Sequence, residues 1–115
     1  MHEPEHSRIT RTVGDRIRKV RLELGISQTD LSEMAEIHLS SLGRIERGTS
    51  NPKLDMLARI AFALDTSVAD LVSEIDPADI DPKRRRITAS YLLRARREAE
   101  EEARSEHDRF AHGEK

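Results

Sequence analysis

The side chains of this sequence that could carry catalysis or bind a metal form no recognisable catalytic or metal-binding pattern. Four of the five histidines lie near the chain ends, at His2, His6, His107 and His112, which does not favour a built metal site. There is no cysteine, so disulfides, thiolate metal sites and cysteine nucleophiles are excluded. No strand–elbow–helix pattern surrounds a serine, and no glycine-rich phosphate loop is present. We therefore expect no enzyme, no metal site and no cofactor.

Charge is abundant and unevenly distributed. Charged residues make up 37% of the 115 residues and aromatic residues only 3%, with a formal net charge of −2. Residues 8–21 carry six basic side chains against one aspartate, and residues 1–12 are expected to form a flexible basic arm. No apolar run approaches the roughly 20 residues that span a bilayer. The sequence predicts no membrane association and a cytoplasmic location.

Apolar residues divide the chain. Residues 13–75 contain 22 Leu, Ile, Val, Phe and Met residues, whereas residues 76–115 contain five. Two prolines and three aspartates at 76–82 suit a linker. We expect a packed domain at 13–75, a linker at 76–82 and a charged, helical segment at 83–115.

Helical periodicity in the packed segment predicts five short helices and an all-α fold. Thr12 is expected to cap the first helix, whose inward face is Val13, Ile17, Val20 and Leu24. Ser27 and Asp30 cap the second, with Leu31, Met34 and Ala35 inward. The third runs over 39–47 and ends at Gly48. The fourth carries Leu54, Leu57, Ile60, Ala61 and Leu64 inward, and Ser67 caps the fifth.

The second and third helices have the spacing of a helix-turn-helix, and here the sequence resembles a known family. The matching stretches are Gly25–Ala35, Leu42–Gly48, Asn51-Pro52, Leu57–Leu64 and Ser67–Leu71. They resemble the helix-turn-helix domain of Cro and CI phage repressors, also called the xenobiotic-response-element (XRE) or lambda-repressor-like type. Three positions depart from the family pattern. Glu36 and Asp65 stand where glycine is common, and His38 stands where Ser, Thr or Asn usually caps the third helix.

The resemblance implies binding to double-stranded DNA, with the third helix in the major groove. The family positions that meet base edges fall on Leu39, Ser40, Gly43 and Arg44. Arginine can donate two hydrogen bonds to guanine, and leucine can contact a thymine methyl group. Two alternatives stay open: Leu39 could pack in the core, and Arg44 could contact phosphate or solvent.

The same resemblance implies phosphate contacts by Gln28, Arg47, Asn51 and Lys53. It also implies a structural salt bridge between Arg21 and Glu46 that holds the third helix in place. The basic residues at 8–21 could follow a phosphate strand.

We interpret the chain as a sequence-specific transcriptional regulator, a bacterial nucleoid-associated repressor that binds a palindromic operator as a homodimer. The expected dimer surface is Val68–Glu74, extended by Tyr91–Ala103. The alternative is an antitoxin or protein-interaction regulator whose residues 83–110 bind a partner protein. The C-terminal helix could equally be a solvated single helix held by charge pairs such as Arg97 with Glu101.

Overall fold

The computed structural model describes residues 7–80, 83 and 87–113, and these residues contain helices and no strand. The helices are α1 (Ser7–Glu23), α2 (Gln28–Met34), α3 (Leu39–Arg47), α4 (Leu54–Ala63), α5 (Val68–Leu71) and α6 (Ala89–Gly113). A 3₁₀ turn at Pro77–Asp79 lies between α5 and α6. The chain divides into two compact units, Met1–Asp81 with α1 to α5 and Pro82–Lys115 with α6. The predicted all-α class is confirmed.

The ends of α2 and α3 are set by local sequence. The Ser27 hydroxyl accepts from the Asp30 amide at 2.9 Å, and the Asp30 carboxylate accepts from the Ser27 amide at 3.0 Å. This capping box lowers the pKa of Asp30, chiefly because the backbone N–H of Ser27 stabilises its carboxylate. α3 ends at Gly48, whose φ of 76° allows its amide to bond the Ile45 carbonyl. Both predicted helix ends are confirmed.

The core of the first unit is formed by one face of each helix. Its buried members are Val13, Ile17, Leu31, Ala35, Leu42, Ile45, Leu57, Ile60, Ala61, Leu64 and Leu71. Glu36 and Asp65 adopt positive φ values of 56° and 55°, the conformation that favours glycine. The Arg59 guanidinium donates to the Glu36 carbonyl at 3.0 Å and supports that turn.

The start of α1 differs from the prediction. α1 begins at Ser7, so Thr12 lies inside the helix and does not cap it. The Thr12 hydroxyl donates to the Arg8 carbonyl at 2.9 Å, one turn back. Residues 7–12 of the expected flexible arm are therefore helical, and Thr10 among them is buried. Residues 1–6 of the arm lie outside the described residues.

Three side chains expected in the core are exposed instead. Leu24 is 52% exposed, Met34 51% and Leu54 72%. Each lies at or beyond a helix end, where the helix no longer faces the core.

The segment after α5 holds more local structure than its composition suggests. Asp76 caps the 3₁₀ turn by accepting from the Ala78 amide at 2.8 Å. α6 begins at Ala89, later than the predicted start at 83, and the Tyr91 amide donates to the Thr88 hydroxyl. Four consecutive basic residues, Lys83 to Arg86, stand at the start of the C-terminal segment, and only Lys83 of these belongs to the described residues.

Candidate nucleic-acid interface

Two glycines let α1 lie close against α3. A Cβ on Gly14 would collide with the backbone carbonyl of Ile45, and a Cβ on Gly48 would come within 2.6 Å of the Arg11 Cα. The buried Thr10 hydroxyl donates to the Gly48 carbonyl at 2.7 Å. Because backbone meets backbone here, α3 has little freedom to shift relative to α1.

A buried ion pair fixes the same two helices further along. Arg21 Nε donates to Glu46 Oε2 at 2.8 Å, and Arg21 Nη2 donates to Glu46 Oε1 at 2.9 Å. The two side chains are only 8% and 2% exposed. Arg21 Nη1 also donates to the Ile26 carbonyl at 2.9 Å, and the hydrogen bonds to Glu46 raise the pKa of Arg21 above its ordinary value. This is the pair that the family resemblance implies.

Gln28, the first residue of α2, also makes a hydrogen bond to this pair. Its amide nitrogen donates to Glu46 Oε1 at 3.0 Å. One carboxylate therefore receives hydrogen bonds from α1 and α2 while belonging to α3. A charged group that accepts several hydrogen bonds holds its neighbours more strongly than a neutral one.

The outward face of α3 carries three of the four residues predicted to read bases. Leu39 is 48% exposed, and Ser40 and Arg44 are exposed as well. Leu42 and Ile45 point into the core from the opposite face. The alternative that Leu39 packs in the core is therefore wrong. Arg44 Nη2 donates to the Ser41 hydroxyl at 3.3 Å, a weak contact that leaves the guanidinium at the surface.

The fourth residue, Gly43, is buried. The Arg47 guanidinium lies over it, with Nη1 3.1 Å from the position that a Cβ would take. A ligand reaches the Gly43 backbone only when the Arg47 side chain moves aside.

A surface groove runs beside α3 and gathers basic side chains from two helices. Its lining includes Arg11 and Arg18 of α1, Arg47 of α3, Gln28 and Thr49. Two carboxylates, Asp15 and Glu46, also line it, and Glu46 is already paired with Arg21. Three guanidinium groups around one groove suit a phosphate backbone.

Of the other residues predicted to contact phosphate, one lines this groove and two lie on the surface outside its lining. Gln28 lies in the groove with its amide turned to Glu46. Asn51 and Lys53 are exposed in the segment that joins α3 to α4.

Arg11 and Arg18 were predicted only as part of a general basic charge. Their seven-residue spacing, two turns of one helix face, is the signal that could have singled them out. Arg16 belongs to the same basic run but takes another role, since its Nη2 donates to Asp70 Oδ1 at 2.7 Å.

Within residues 7–80, 83 and 87–113, no three His, Cys, Asp or Glu side chains are grouped so that they could hold a metal ion. No helix among them is both long enough and apolar enough to cross a membrane.

Comparison with known proteins identifies relatives for the first unit. Residues 17–71 match the Helix-turn-helix family HTH_3. The chain is 37% identical over 70 residues to the HTH-type transcriptional regulator SinR of Bacillus licheniformis, covering 60% of this chain and 63% of SinR. It is 41% identical over 63 residues to the Immunity repressor protein of Bacillus phage phi105, covering 55% of this chain and 44% of the repressor. The chain thus spans less than two thirds of either curated relative.

Two solved structures are similar to this chain in fold. The restriction-modification controller protein C.AhdI from Aeromonas hydrophila has a TM-score of 0.53 and 32% identity, covering 54% of this chain and 94% of C.AhdI. A chain of the SinR protein/SinI protein complex has a TM-score of 0.53 and 28% identity, covering 86% of this chain and 94% of that one. From the motif match, the helices and these relatives, we conclude that the chain belongs to the helix-turn-helix family of the Cro and CI repressor type.

Proposed function

We propose that this chain is a sequence-specific DNA-binding transcriptional regulator that represses by occupying a promoter. The observation that carries the proposal is the exposed face of α3, with Leu39 and Arg44 at the surface above a buried Arg21–Glu46 pair. A reading helix must hold its side chains in one orientation, and the buried pair and the Gly14 contact restrict α3 to one. Relatives described as a transcriptional regulator and an immunity repressor support the proposal.

In this proposal the residues of the site divide by role. Leu39, Ser40 and Arg44 contact base edges in the major groove, and Gly43 allows the close approach of α3 once Arg47 has turned away. Gln28, Arg47, Asn51 and Lys53 contact phosphates together with the groove arginines. Phosphate contacts set the register on the duplex, and the outward face of α3 selects the sequence.

The protein acts on a palindromic operator as a dimer. One short recognition helix contacts few base pairs, and two-fold symmetry doubles that number. The surface around Val68–Glu74 is the expected contact within the first unit. The regulator needs no catalysis and no cofactor, and its place of action is the bacterial nucleoid in the cytoplasm.

Selection of bound sequences from a pool of random duplexes tests this function. We expect enrichment of two inverted half-sites whose centres lie about 34 Å, one DNA turn, apart. Binding that is weak, lost at moderate salt and equal for all sequences would contradict the proposal.

A second candidate function is regulation through a protein partner, as in an antitoxin. The similarity to a chain of the SinR–SinI complex extends over 86% of this chain, and α6 exposes every described side chain from residue 89 to residue 111. Co-expression with the product of the neighbouring gene tests it. A stable one-to-one complex that is lost on truncation after residue 88 would favour this candidate, and separate elution of the two proteins would exclude that gene product.

A further inference from the structure

An exposed apolar stripe runs along α4 in the first unit. Phe62 is 85% exposed, the largest exposed fraction of any large hydrophobic residue in the part of the chain that the structure describes. Leu54 is 72% exposed, and Ala58 between them is exposed as well. The three residues follow one another at four-residue spacing, so they lie along one flank of the helix. A different flank of α4 packs into the core through Leu57, Ile60 and Ala61.

Two residues of this stripe line a groove between α4 and the end of α2. We call it the α2–α4 groove. It has a volume of about 370 Å³, and its lining is Met34, Ala35, Glu36, Ala58, Arg59 and Phe62. Met34 is 51% exposed on the α2 wall, and the Arg59 guanidinium is tied to the Glu36 carbonyl at 3.0 Å. A concave apolar surface left open to solvent marks a binding site for a partner.

The surface around the groove is acidic. Residues 28–36 and 54–65 comprise the two helices and the turns that end them, and they carry five carboxylates and one basic residue, Arg59. All five carboxylates are exposed: Asp30, Glu33, Glu36, Asp55 and Asp65. A ligand that covers the groove therefore meets a negatively charged rim.

Helix geometry places these carboxylates beside the apolar residues. Asp30 lies about one turn before Met34 on α2, and Asp55 lies about two turns before Phe62 on α4. The Asp65 amide donates to the Phe62 carbonyl at 3.2 Å, so Asp65 stands at the end of the stripe. Negative charge is therefore present on both walls of the groove and at the end of α4.

We infer that the α2–α4 groove binds a basic amphipathic helix of a partner protein. Apolar side chains of such a helix, at i, i+3, i+4 and i+7, cover Phe62 and Met34, and its lysine or arginine side chains meet the carboxylates on both walls. A helix fits better than an extended peptide, because the described residues contain no strand whose edge could pair with one.

The same charges disfavour other occupants. A second copy bound through this groove about a two-fold axis would bring two acidic rims together, and like charges across an interface cost free energy. The phosphates of DNA and of anionic lipids are repelled by the rim for the same reason. A positively charged partner is the occupant that the rim favours.

The α2–α4 groove is separate from the proposed DNA interface. Gln28, the first residue of α2, lines the groove beside α3, whereas Met34, the last residue of α2, lines the α2–α4 groove. The two grooves share no lining residue. A partner helix can therefore bind whether or not α3 is on DNA, and its binding does not depend on the proposed function.

Titration of the full-length protein with two matched peptides tests this binding. The first probe is a fluorescently labelled helical peptide of about 18 residues, five turns long, with leucine at i, i+3, i+4 and i+7 positions and lysine elsewhere. The second has glutamate in place of every lysine. Fluorescence anisotropy should show saturable, one-to-one binding of the lysine peptide and no binding of the glutamate peptide.

Phe62→Ala should weaken binding of the lysine peptide at least roughly tenfold, because it removes the largest apolar side chain of the groove. The exposure of Phe62 means that its truncation leaves the core intact. Phe110→Ala is the matched control, since it removes the same side chain at 78% exposure from α6, and it should leave the affinity unchanged.

Charge neutralisation gives an independent readout. Glu33→Gln combined with Asp55→Asn should lower the affinity roughly tenfold at low salt and flatten its dependence on ionic strength. Glu100→Gln combined with Glu101→Gln removes the same net charge from α6 and is the control. An equal effect of the two double variants would show attraction by overall charge alone and would overturn the inference.

Three other outcomes would also overturn it. Equal affinity of the wild type and Phe62→Ala for the lysine peptide would reject the groove, and binding of the glutamate peptide would reject the charge preference. A homodimer whose dissociation constant rises with Phe62→Ala would show that a second copy covers the groove. Because the titration contains no DNA, a failure of the operator selection would leave these results unaffected.

Discussion

Arg21 and Glu46 form a two-point ion pair between α1 and α3, with N–O distances of 2.8 and 2.9 Å and almost no solvent exposure. Glu46 lies on α3 two residues after Arg44 and directly before Arg47. The orientation of the proposed reading residues therefore depends on an interaction that does not touch DNA. We therefore expect stability and DNA binding to be coupled through this pair.

Loss of either partner should destabilise the fold. Arg21→Met leaves the Glu46 carboxylate buried without its main partner, and Glu46→Leu leaves the guanidinium in the same position. Each single change is expected to lower the free energy of unfolding by about 3–5 kcal/mol. Chemical denaturation of the two single variants and the double variant measures this.

The double variant distinguishes an interaction from two separate effects. Because Arg21→Met with Glu46→Leu leaves no unpaired charge, its loss should be clearly smaller than the sum of the two single losses. Additive losses would mean that the two side chains do not stabilise each other.

Gly14→Ala should destabilise the protein although alanine favours helices. The new Cβ would collide with the Ile45 backbone carbonyl, so α1 and α3 must separate, at a cost of about 1–3 kcal/mol or more. Gly43→Ala is the control, since its Cβ meets only the movable end of Arg47. That change should be neutral or stabilise by up to about 1 kcal/mol. Thermal unfolding that ranks the two variants in the opposite order would contradict the close α1–α3 contact.

The Arg16–Asp70 pair predicts a pH dependence of stability. The hydrogen bond from Arg16, followed by that from Thr66, lowers the pKa of Asp70 below its ordinary 3.8. A depressed folded pKa adds stability above the unfolded value and loses it as the pH falls toward the folded value. The stability gap between wild type and Asp70→Asn should therefore be widest near neutral pH and narrow below about 3.8. Urea unfolding at several pH values measures the gap, and a constant gap down to pH 2.5 would exclude the linkage.

Sequence patterns predicted the parts of the fold that local chemistry decides. The bounds of α3, the capping box at Ser27 and the left-handed Gly48 follow from residue types at fixed spacing. The predicted start of α1 at Thr12 was wrong because the helix begins at Ser7. Its first turns pack on the domain through the hydrogen bond from Thr10 to the Gly48 carbonyl, a contact over 38 residues that local sequence patterns do not show. The prediction that Met34 and Leu54 are buried was wrong, because periodicity alone does not show where the end of a helix leaves the core.

The candidate site was predictable to a similar degree. The exposed side chains of α3 follow from helical periodicity and the family pattern. Gly14 was missed, although a glycine within a helical pattern is a signal of close backbone approach. The cover of Arg47 over Gly43 depends on a side-chain conformation that no spacing rule predicts.

Arg44→Ala should cost about 1–3 kcal/mol of binding and relax the preference at one base pair of each half-site. Lys53→Ala is the matched comparison, because a phosphate contact lowers affinity for all sequences alike and reduces the salt slope by about one. Binding titrations on the selected operator and on single-base variants separate these behaviours. If Arg44→Ala weakens binding to every duplex equally, Arg44 contacts phosphate instead of a base.

Chemical footprinting with dimethyl sulfate on the selected operator tests the central claim, that α3 reads the major groove in two symmetric copies. The reagent methylates guanine N7 in the major groove and adenine N3 in the minor groove. We predict protection of guanine N7 in two patches on one face of the duplex, about 34 Å apart. In the Arg44→Ala variant, one guanine in each patch should lose its protection. Protection confined to adenine N3, or a single patch unchanged by Arg44→Ala, would contradict the account.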